Sequence, residues 1–436
     1  MKNERVIFWF RRDLRLDDNA GLHAALTSGF PVIPLFIFDQ TILSALENRT
    51  DRRVDFIFQA LQNLNQQLVK YGSQMLIRYG NPVEVIDELT SILPVSSVYT
   101  NRDYEPYARE RDEKVLRLLH SKNIQFHTLK DQVIFEPGEL LKADGTPYTV
   151  FTPFSKVWKK QFTPPACASF NVPEKANFDT DISLPSVKSL HEIGFNSTGI
   201  KFIIPEIPTG IIRSYHLTRD YPSVEGTTRL SVHLRFGTVS IRRLVRIAMQ
   251  ENETWLGELI WREFFMSILY YYPQVVERSF KPAYDSIRWR NNEAEFERWC
   301  NGTTGYPIVD AGMRELLATG HMHNRVRMIV AGFLTKHLLI DWRWGEAWFA
   351  KHLLDFDLSA NNGNLQWAAG CGCDAAPYFR IFNPYEQTKK FDSRLEYIII
   401  WVPEFQQLTY PTPIVDHQAA RQRALDTYRN GLQEVR

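Results

Sequence analysis

The stretch Val6-Ile7-Phe8-Trp9-Phe10, followed at once by Arg11-Arg12-Asp13, decides how the first third of the chain is read. Five apolar residues without alternation fit a strand buried on both faces, the form that parallel sheets take. The run is too short for the core of a secretory leader, and charges follow it directly. A second such run, Pro31–Phe38, ends at Asp39. Between Asp51 and Tyr71 the residues Val54, Ile57, Leu61, Leu64 and Leu68 recur at helical spacing and give one apolar face. Gly72 stops that helix. Gln74–Tyr79 reads as a strand, and Asn81-Pro82 supplies a cap and a first-turn proline for a helix to about Ser91. Ser97–Thr100, the charged helix Pro106–Ser121 and the strand Ile124–Leu129 complete the alternation. Residues 1–135 are thus expected to form an α/β domain with a parallel, doubly wound sheet.

The length of 436 residues favours two domains. Residues 136–200, rich in proline, read as an interdomain connector, and residues 201–436 read as an all-α domain. A hydrophobic content of 44% excludes global disorder. With 51 Lys+Arg against 50 Asp+Glu the net charge is +1, so any contact with nucleic acid must be a local patch. Four cysteines in a chain this long do not make a disulfide framework, and Cys371-Gly-Cys373 lacks the partners of a zinc site, so no metal is expected. No apolar run approaches the roughly 20 residues of a membrane helix. These features point to a cytoplasmic protein. No glycine-rich dinucleotide fingerprint follows the first strand, and no triphosphate loop occurs.

In the helical part, Glu258, Trp261 and Arg262 stand at i, i+3 and i+4 and share a helix face. A carboxylate beside a large aromatic is desolvated and can act as a neutral hydrogen-bond donor, whereas an amphipathic surface helix with an ion pair needs the same spacing. Asn324, Arg327 and Met328 share a face of an apolar stretch, Met322 to Leu339, so that face should meet polar groups or a ligand. A structural salt bridge is the alternative. Asp355 to Asn364 is dense in carboxylates and amides, a turn-prone stretch able to wrap a polar ligand. Glu225–Ser231 offers hydroxyls and a glycine just before a helix, suited to phosphate or to a plain N-cap.

These same segments resemble the DNA photolyase and cryptochrome family over nearly the whole chain. The resemblance opens with Phe8-Trp9-Phe10-Arg11-Arg12-Asp13-Leu14-Arg15-Leu16-Asp17-Asp18-Asn19. It continues through Glu225–Ser231, Glu258–Arg262, Gly305–Asp310, His323–Met328 and Asp374–Arg380. It implies FAD in the helical domain, with Tyr215, Thr227, Thr228, Arg229, Leu230 and Ser231 at its phosphates. Arg262 and Asn324 match cofactor-pocket positions. Arg327 and Asp355 match an ion pair beside the isoalloxazine, Phe356 and Asp357 the same wall, and Asn361 the residue facing flavin N5. An amide at that place favours the reduced cofactor, and the asparagine favours repair over signalling.

The implied activity is light-driven repair of cyclobutane pyrimidine dimers in UV-damaged DNA by an electron from excited reduced FAD. Trp261 and Trp367 match the aromatic pair on the flipped bases. Glu258 and Asn324 match groups that hold base edges, Met328 a pocket wall, and Arg219 and Arg325 contacts to the lesion strand. Asn324 and Met328 stand where the (6-4) photolyases carry histidines, which points to cyclobutane dimers. The family's surface-to-flavin tryptophan chain is represented by Trp289 and Trp342, but its innermost place holds Leu365, which has no accessible redox state. Trp344, Trp348 or a tyrosine offers the only detour in view. Tyr104–Arg109 lacks the Asn-Glu pair of folate-binding members, so a second antenna chromophore, if bound, resembles a deazaflavin more than methenyltetrahydrofolate. The protein is expected to be monomeric, with no obligatory protein partner. A cryptochrome-type blue-light receptor and a flavin-dependent DNA-binding protein without repair are the rival readings.

Overall fold

The computed structural model describes residues 4–433. Contacts gather the chain into two compact units, and neither is contiguous. One takes the chain up to Glu139, Gln161–Ile207 and Leu230–Gln250; the other takes Leu140–Lys160, Pro208–Arg229 and the chain from Glu251 onward. Boundaries at 135 and 200 therefore do not describe the units. The expected connector is shared between them, and part of the expected helical domain folds with the sheet.

The first unit is built on a five-stranded, all-parallel sheet in the order β3-β2-β1-β4-β5. The strands are β1 Arg5–Phe10, β2 Val32–Asp39, β3 Leu76–Gly80, β4 Val95–Asn101 and β5 Gln125–Leu129. Val6 to Phe10 are fully buried, as an uninterrupted apolar run in a sheet covered on both faces requires. The helices Arg52–Val69, Pro82–Ile92 and Pro106–Ser121 follow the expected spans. Asn81 caps the second of these through Val83 N–H, and Gly72 takes a φ of +69° after the first. A further short helix, Ala20–Leu26, is capped by Asn19.

The reason residues 230–250 join this unit is a buried charge cluster. Arg242, on the helix Ile241–Glu251, donates from Nε to Asp18 Oδ1 at 2.8 Å and from Nη2 to Asp131 Oδ1 at 2.8 Å. Arg15 donates to the other oxygen of Asp131 at 2.7 Å. Burial alone would raise the Asp131 pKa, but Arg15 and Arg242 overcome it and hold the group below the usual carboxylate range. The motif Arg11 to Asn19 thus serves the fold of this unit: Asp13 accepts from Asn101 Nδ2, and Asp18 binds Ser240 at 2.5 Å.

The second unit is helical. The helix Phe151–Gln161 belongs here because Phe151 stacks on Trp261 at 3.7 Å, and Trp158 Nε1 donates to Glu263 Oε1 at 2.7 Å. Glu253–Tyr271 is one helix, as its spacing implies, capped by Asn252. The stretch from Ala311 to Trp342, apolar-rich with charges at helical spacing and so expected to be helical throughout, is not one helix. Pro307–Thr319 ends at Gly320 with a φ of +74°. Asn324–Gly332 then starts under His323 and passes into a π-helical turn at Phe333–His337, so Met322–Leu339 is broken as well. Helical periodicity persists across such a break because both pieces bury the same kind of face. The motif Gly305–Asp310 is structural: Asp310 accepts from Thr304 N, Thr304 Oγ1 and Gly305 N. The helix Leu358–Ala369 lies directly on Glu253–Tyr271. A Cβ on Gly363 would meet Phe265 Cδ1 at 2.2 Å, so only glycine permits this approach.

Two stability predictions follow from these contacts. Arg242→Met leaves buried carboxylates short of a partner and is expected to cost the first unit about 3–5 kcal/mol. Amide exchange along β1 should quicken while exchange in Glu253–Tyr271 stays near its original rate. The second concerns His323, whose Nδ1 accepts the Arg325 N–H at 3.2 Å, so the ring must be unprotonated there. Burial lowers its pKa from 6.5 to about 4, with Glu315 opposing and Arg327 adding to the shift. The unfolded chain takes up this proton first. The cap's contribution is therefore whole above pH 6.5 and is lost as pH falls toward about 4. His323→Asn keeps a cap acceptor, and thermal melts between those pH values should show a shallower acid limb.

Candidate active site

Segments of the helical unit line one partly open cavity of about 90 Å³. The helix Asn324–Gly332 contributes Asn324, Arg327, Met328 and Ala331; the turn before Leu358–Ala369 contributes Asp355, Phe356 and Asp357; that helix adds Asn361, Leu365 and Trp367. Phe349 and Leu353 close the floor. The residues matched to the flavin wall and three of those matched to the lesion pocket therefore line the same space.

The two walls are tied by Arg327 and Asp355. Arg327 Nη2 lies 3.0 and 2.9 Å from the two oxygens of Asp355, and its Nε donates to Met322 O at 2.8 Å. The expected salt bridge and the expected ligand-facing residue are thus one and the same. Asp357 caps the helix Leu358–Ala369 through Ala360 N–H, which fixes the turn that holds Phe356.

Asn361 is held by Glu346, which no local sequence pattern singles out. Its Nδ2 donates to Glu346 Oε1 at 2.9 Å and to Glu346 O at 3.2 Å. With the amide nitrogen engaged, the amide oxygen remains to accept from a ligand in the cavity. Burial raises the Glu346 pKa, with the Asn361 bond opposing. Glu346 and Phe349 stand three apart on the helix Trp342–His352 and share its inner face. The signal was available only as a face pairing, since Glu346 is 15 residues from its partner.

Leu365 is buried and lines the cavity. Trp342 is buried at the start of its helix, and Trp289 meets Tyr428 edge-on at 5.9 Å. Behind Leu365 lies an aromatic cluster. A Cβ on Gly345 would sit 3.3 Å from Leu365 Cδ1 and 3.9 Å from Trp299 Cη2. Trp299 stacks on Phe349 at 5.8 Å and on Phe296 at 5.7 Å, and Phe296 meets Trp344 at 5.1 Å and Trp348 at 6.3 Å.

Glu258, Trp261 and Arg262 stand on Glu253–Tyr271 outside the lining of this cavity. Burial raises the Glu258 pKa even though Arg219 Nη1 reaches its Oε1 at 2.5 Å. The partner of Glu258 is therefore Arg219. Trp261 is packed by Phe151, by Phe264 at 5.6 Å and by Phe265 at 5.4 Å. Tyr215 lies under the Arg219 guanidinium at 5.5 Å, and burial with Glu258 nearby raises its pKa. Arg325 donates to Asp220 Oδ1 at 2.6 Å. Thr227 and Thr228 are half-buried and Arg229 is exposed, its side chain paired with Glu225 at 2.9 Å. Leu230 and Ser231 fall in the first unit, where Ser231 opens a short helix.

Among the described residues, no helix is long and apolar enough to cross a membrane. The chain matches the DNA photolyase family model over residues 6–174 and the model for the FAD binding domain of DNA photolyase over residues 255–409. It is 37% identical to the deoxyribodipyrimidine photo-lyase of Synechococcus sp., across 98% of this chain and 96% of that one. A class III photolyase from Agrobacterium tumefaciens superposes with a TM-score of 0.89 at 33% identity, covering 99% of this chain and 98% of that one. An archaeal photolyase from Sulfolobus tokodaii, solved with two FAD molecules, gives 0.85 at 35% identity, covering 98% and 100%. A cryptochrome from Synechocystis sp. gives 0.87 at 26% identity, covering 98% and 99%. With near-complete coverage by relatives above 30% identity and both of its family models matched, the chain belongs to the DNA photolyase family, as an enzyme of the deoxyribodipyrimidine photo-lyase kind.

Proposed function

We propose that this chain repairs cyclobutane pyrimidine dimers in DNA by light-driven electron donation from reduced FAD to a flipped-out lesion. One observation carries the reading: Asn324, Met328 and Trp367 line the same cavity as Arg327, Asp355, Phe356 and Asn361. A lesion held by the first group and a flavin held by the second are neighbours with no relay between them.

The residues fit FAD. The Asn361 oxygen would accept a hydrogen bond from the flavin ring, Arg327 and Asp355 would supply opposite charges beside it, and Phe356 an apolar wall. Tyr215, Thr227 and Thr228 are assigned to its phosphates, and Arg262 to the pocket. When bound in its reduced form, FAD supplies the electron that opens the cyclobutane ring and takes it back. This chain does the rest. Trp367 offers an aromatic face to the dimer, and Trp261, stacked on Phe151 and Phe265, is left its ring edge for the same role. Glu258, whose pKa burial raises against the pull of Arg219, and Asn324 hold base edges. Met328 excludes water from the pocket. Arg219 and Arg325 take the lesion strand. A second antenna chromophore, if bound, belongs to the first unit and resembles a deazaflavin more than methenyltetrahydrofolate on the sequence Tyr104–Arg109. The working form is a cytoplasmic monomer.

The test is a thymine dimer in a short oligonucleotide with chemically reduced holoprotein. Loss of the dimer in near-UV or blue light, and none in the dark, is expected; a dimer that stays bound and unchanged in the light would hand the chain to the receptor or non-repairing readings. A second prediction concerns Leu365. Photoreduction of the oxidised cofactor is expected to be slow, because no aromatic residue stands at that place, and Leu365→Trp should speed it. Rapid, complete photoreduction of the unmodified protein under blue light would contradict the interruption and turn attention to the Trp299–Phe296–Trp344 cluster.

A further inference from the structure

Asp220 stands between two arginines assigned to the DNA strand. Its Oδ1 accepts from Arg325 Nη2 at 2.6 Å and lies 3.8 Å from Arg219 Nε. Arg219 is itself anchored on Glu258. Arg325 is held flat by Phe391, with its guanidinium carbon 4.4 Å from the ring centre, and the Lys390 ammonium approaches the same ring at 5.1 Å. Arg219, Arg325 and Lys390 thus form a row of cations on the helical unit, although the whole chain carries a net charge of only +1.

Two details indicate that Asp220 is a placeholder. The Arg325 Nε is buried without a hydrogen-bond partner, so the carboxylate satisfies only one edge of the guanidinium. An arginine stacked on an aromatic ring is fixed in place by that contact and does not need the carboxylate to define its position. A guanidinium with an open Nε beside an engaged Nη2 is the fork that a phosphodiester fills with two parallel bonds.

We propose that Asp220 occupies the seat of a DNA phosphate: its carboxylate holds Arg325 and Arg219 while the site is free, and the lesion-strand phosphodiester displaces it on binding. Asp220 is then a residue that sets affinity without touching lesion or flavin. It keeps the arginines paired in the free enzyme and recaptures Arg325 when the repaired strand leaves. This proposal rests on the DNA-repair reading above.

The test is a double-mutant cycle on Asp220 and Arg325, using holoprotein and a fluorescent duplex with one cyclobutane dimer, titrated at several salt concentrations. Asp220→Asn is expected to tighten binding by roughly three- to tenfold and to steepen the slope of log K against log salt by up to about 0.9, as one more effective phosphate contact requires. Asp220→Glu should keep the original affinity. In an Arg325→Ala background the gain from Asp220→Asn should largely disappear. Unchanged or weaker binding by Asp220→Asn would overturn the proposal, and so would an undiminished gain without Arg325, which would mark a general charge effect. Cofactor absorbance and melting of each variant confirm the fold. If the unmodified protein shows no preference for the damaged duplex over an intact one, the repair reading itself fails; if that preference stands and only the cycle fails, the role of Asp220 alone is withdrawn.

Discussion

The site depends on the ion pair between Arg327 and Asp355. Arg327 reaches both oxygens of Asp355 and also the carbonyl of Met322. It thereby joins the helix Asn324–Gly332 to the turn that starts Leu358–Ala369. Every lining residue of the cavity described here stands on one of these two elements or on the helix Trp342–His352 and the Leu353 that follows it. Breaking the pair would leave a charge facing the cavity unmatched and free the two walls from one another. Gly363 lets Leu358–Ala369 lie directly against Phe265, so the cavity helix has little room to shift.

Much of this was legible in the sequence. β1 was visible because an unbroken apolar run has one common home, a parallel sheet covered on both faces. The helix Arg52–Val69 was visible through its spacing, and Asn81-Pro82 announced its helix by two independent signals. The limits of the reading were physical. Arg242 folds with the sheet because it pairs with Asp18 and Asp131, and no local pattern connects residues more than 100 positions apart. The stretch from Ala311 to Trp342 kept its apolar periodicity across Gly320 because the two helices it contains share one core. Glu346 was missed for the same reason as Arg242: its partner Asn361 is a neighbour only through packing. Asn324 and Arg327 were legible because polar residues on an apolar face must meet something, and Asn361 because it falls in a stretch dense in carboxylates and amides; their individual roles came only from the family resemblance.

Leu365 separates two electron paths that the family usually keeps together. In the proposed mechanism repair needs only the flavin and the lesion, both assigned to the cavity that Leu365 lines. Photoreduction needs a relay from the protein, and it is this relay that the proposal holds interrupted at Leu365. The aromatic cluster of Trp299, Phe296, Trp344 and Trp348 lies behind Leu365 and meets the cavity through Phe349, so the chain retains aromatic density close to the site even where the relay itself is broken. The same separation explains how the substitution can persist in a working repair enzyme: a chemically reduced cofactor leaves the relay nothing to do.

The most direct measurement of this account is the excited-state lifetime of the reduced cofactor, by time-resolved fluorescence, with and without saturating dimer-containing DNA. Direct donation across one cavity predicts that bound dimer shortens the lifetime, that an intact duplex does not, and that Leu365→Trp leaves the shortening unchanged. A lifetime indifferent to bound dimer, or a shortening that appears only after tryptophan is restored at position 365, would contradict it.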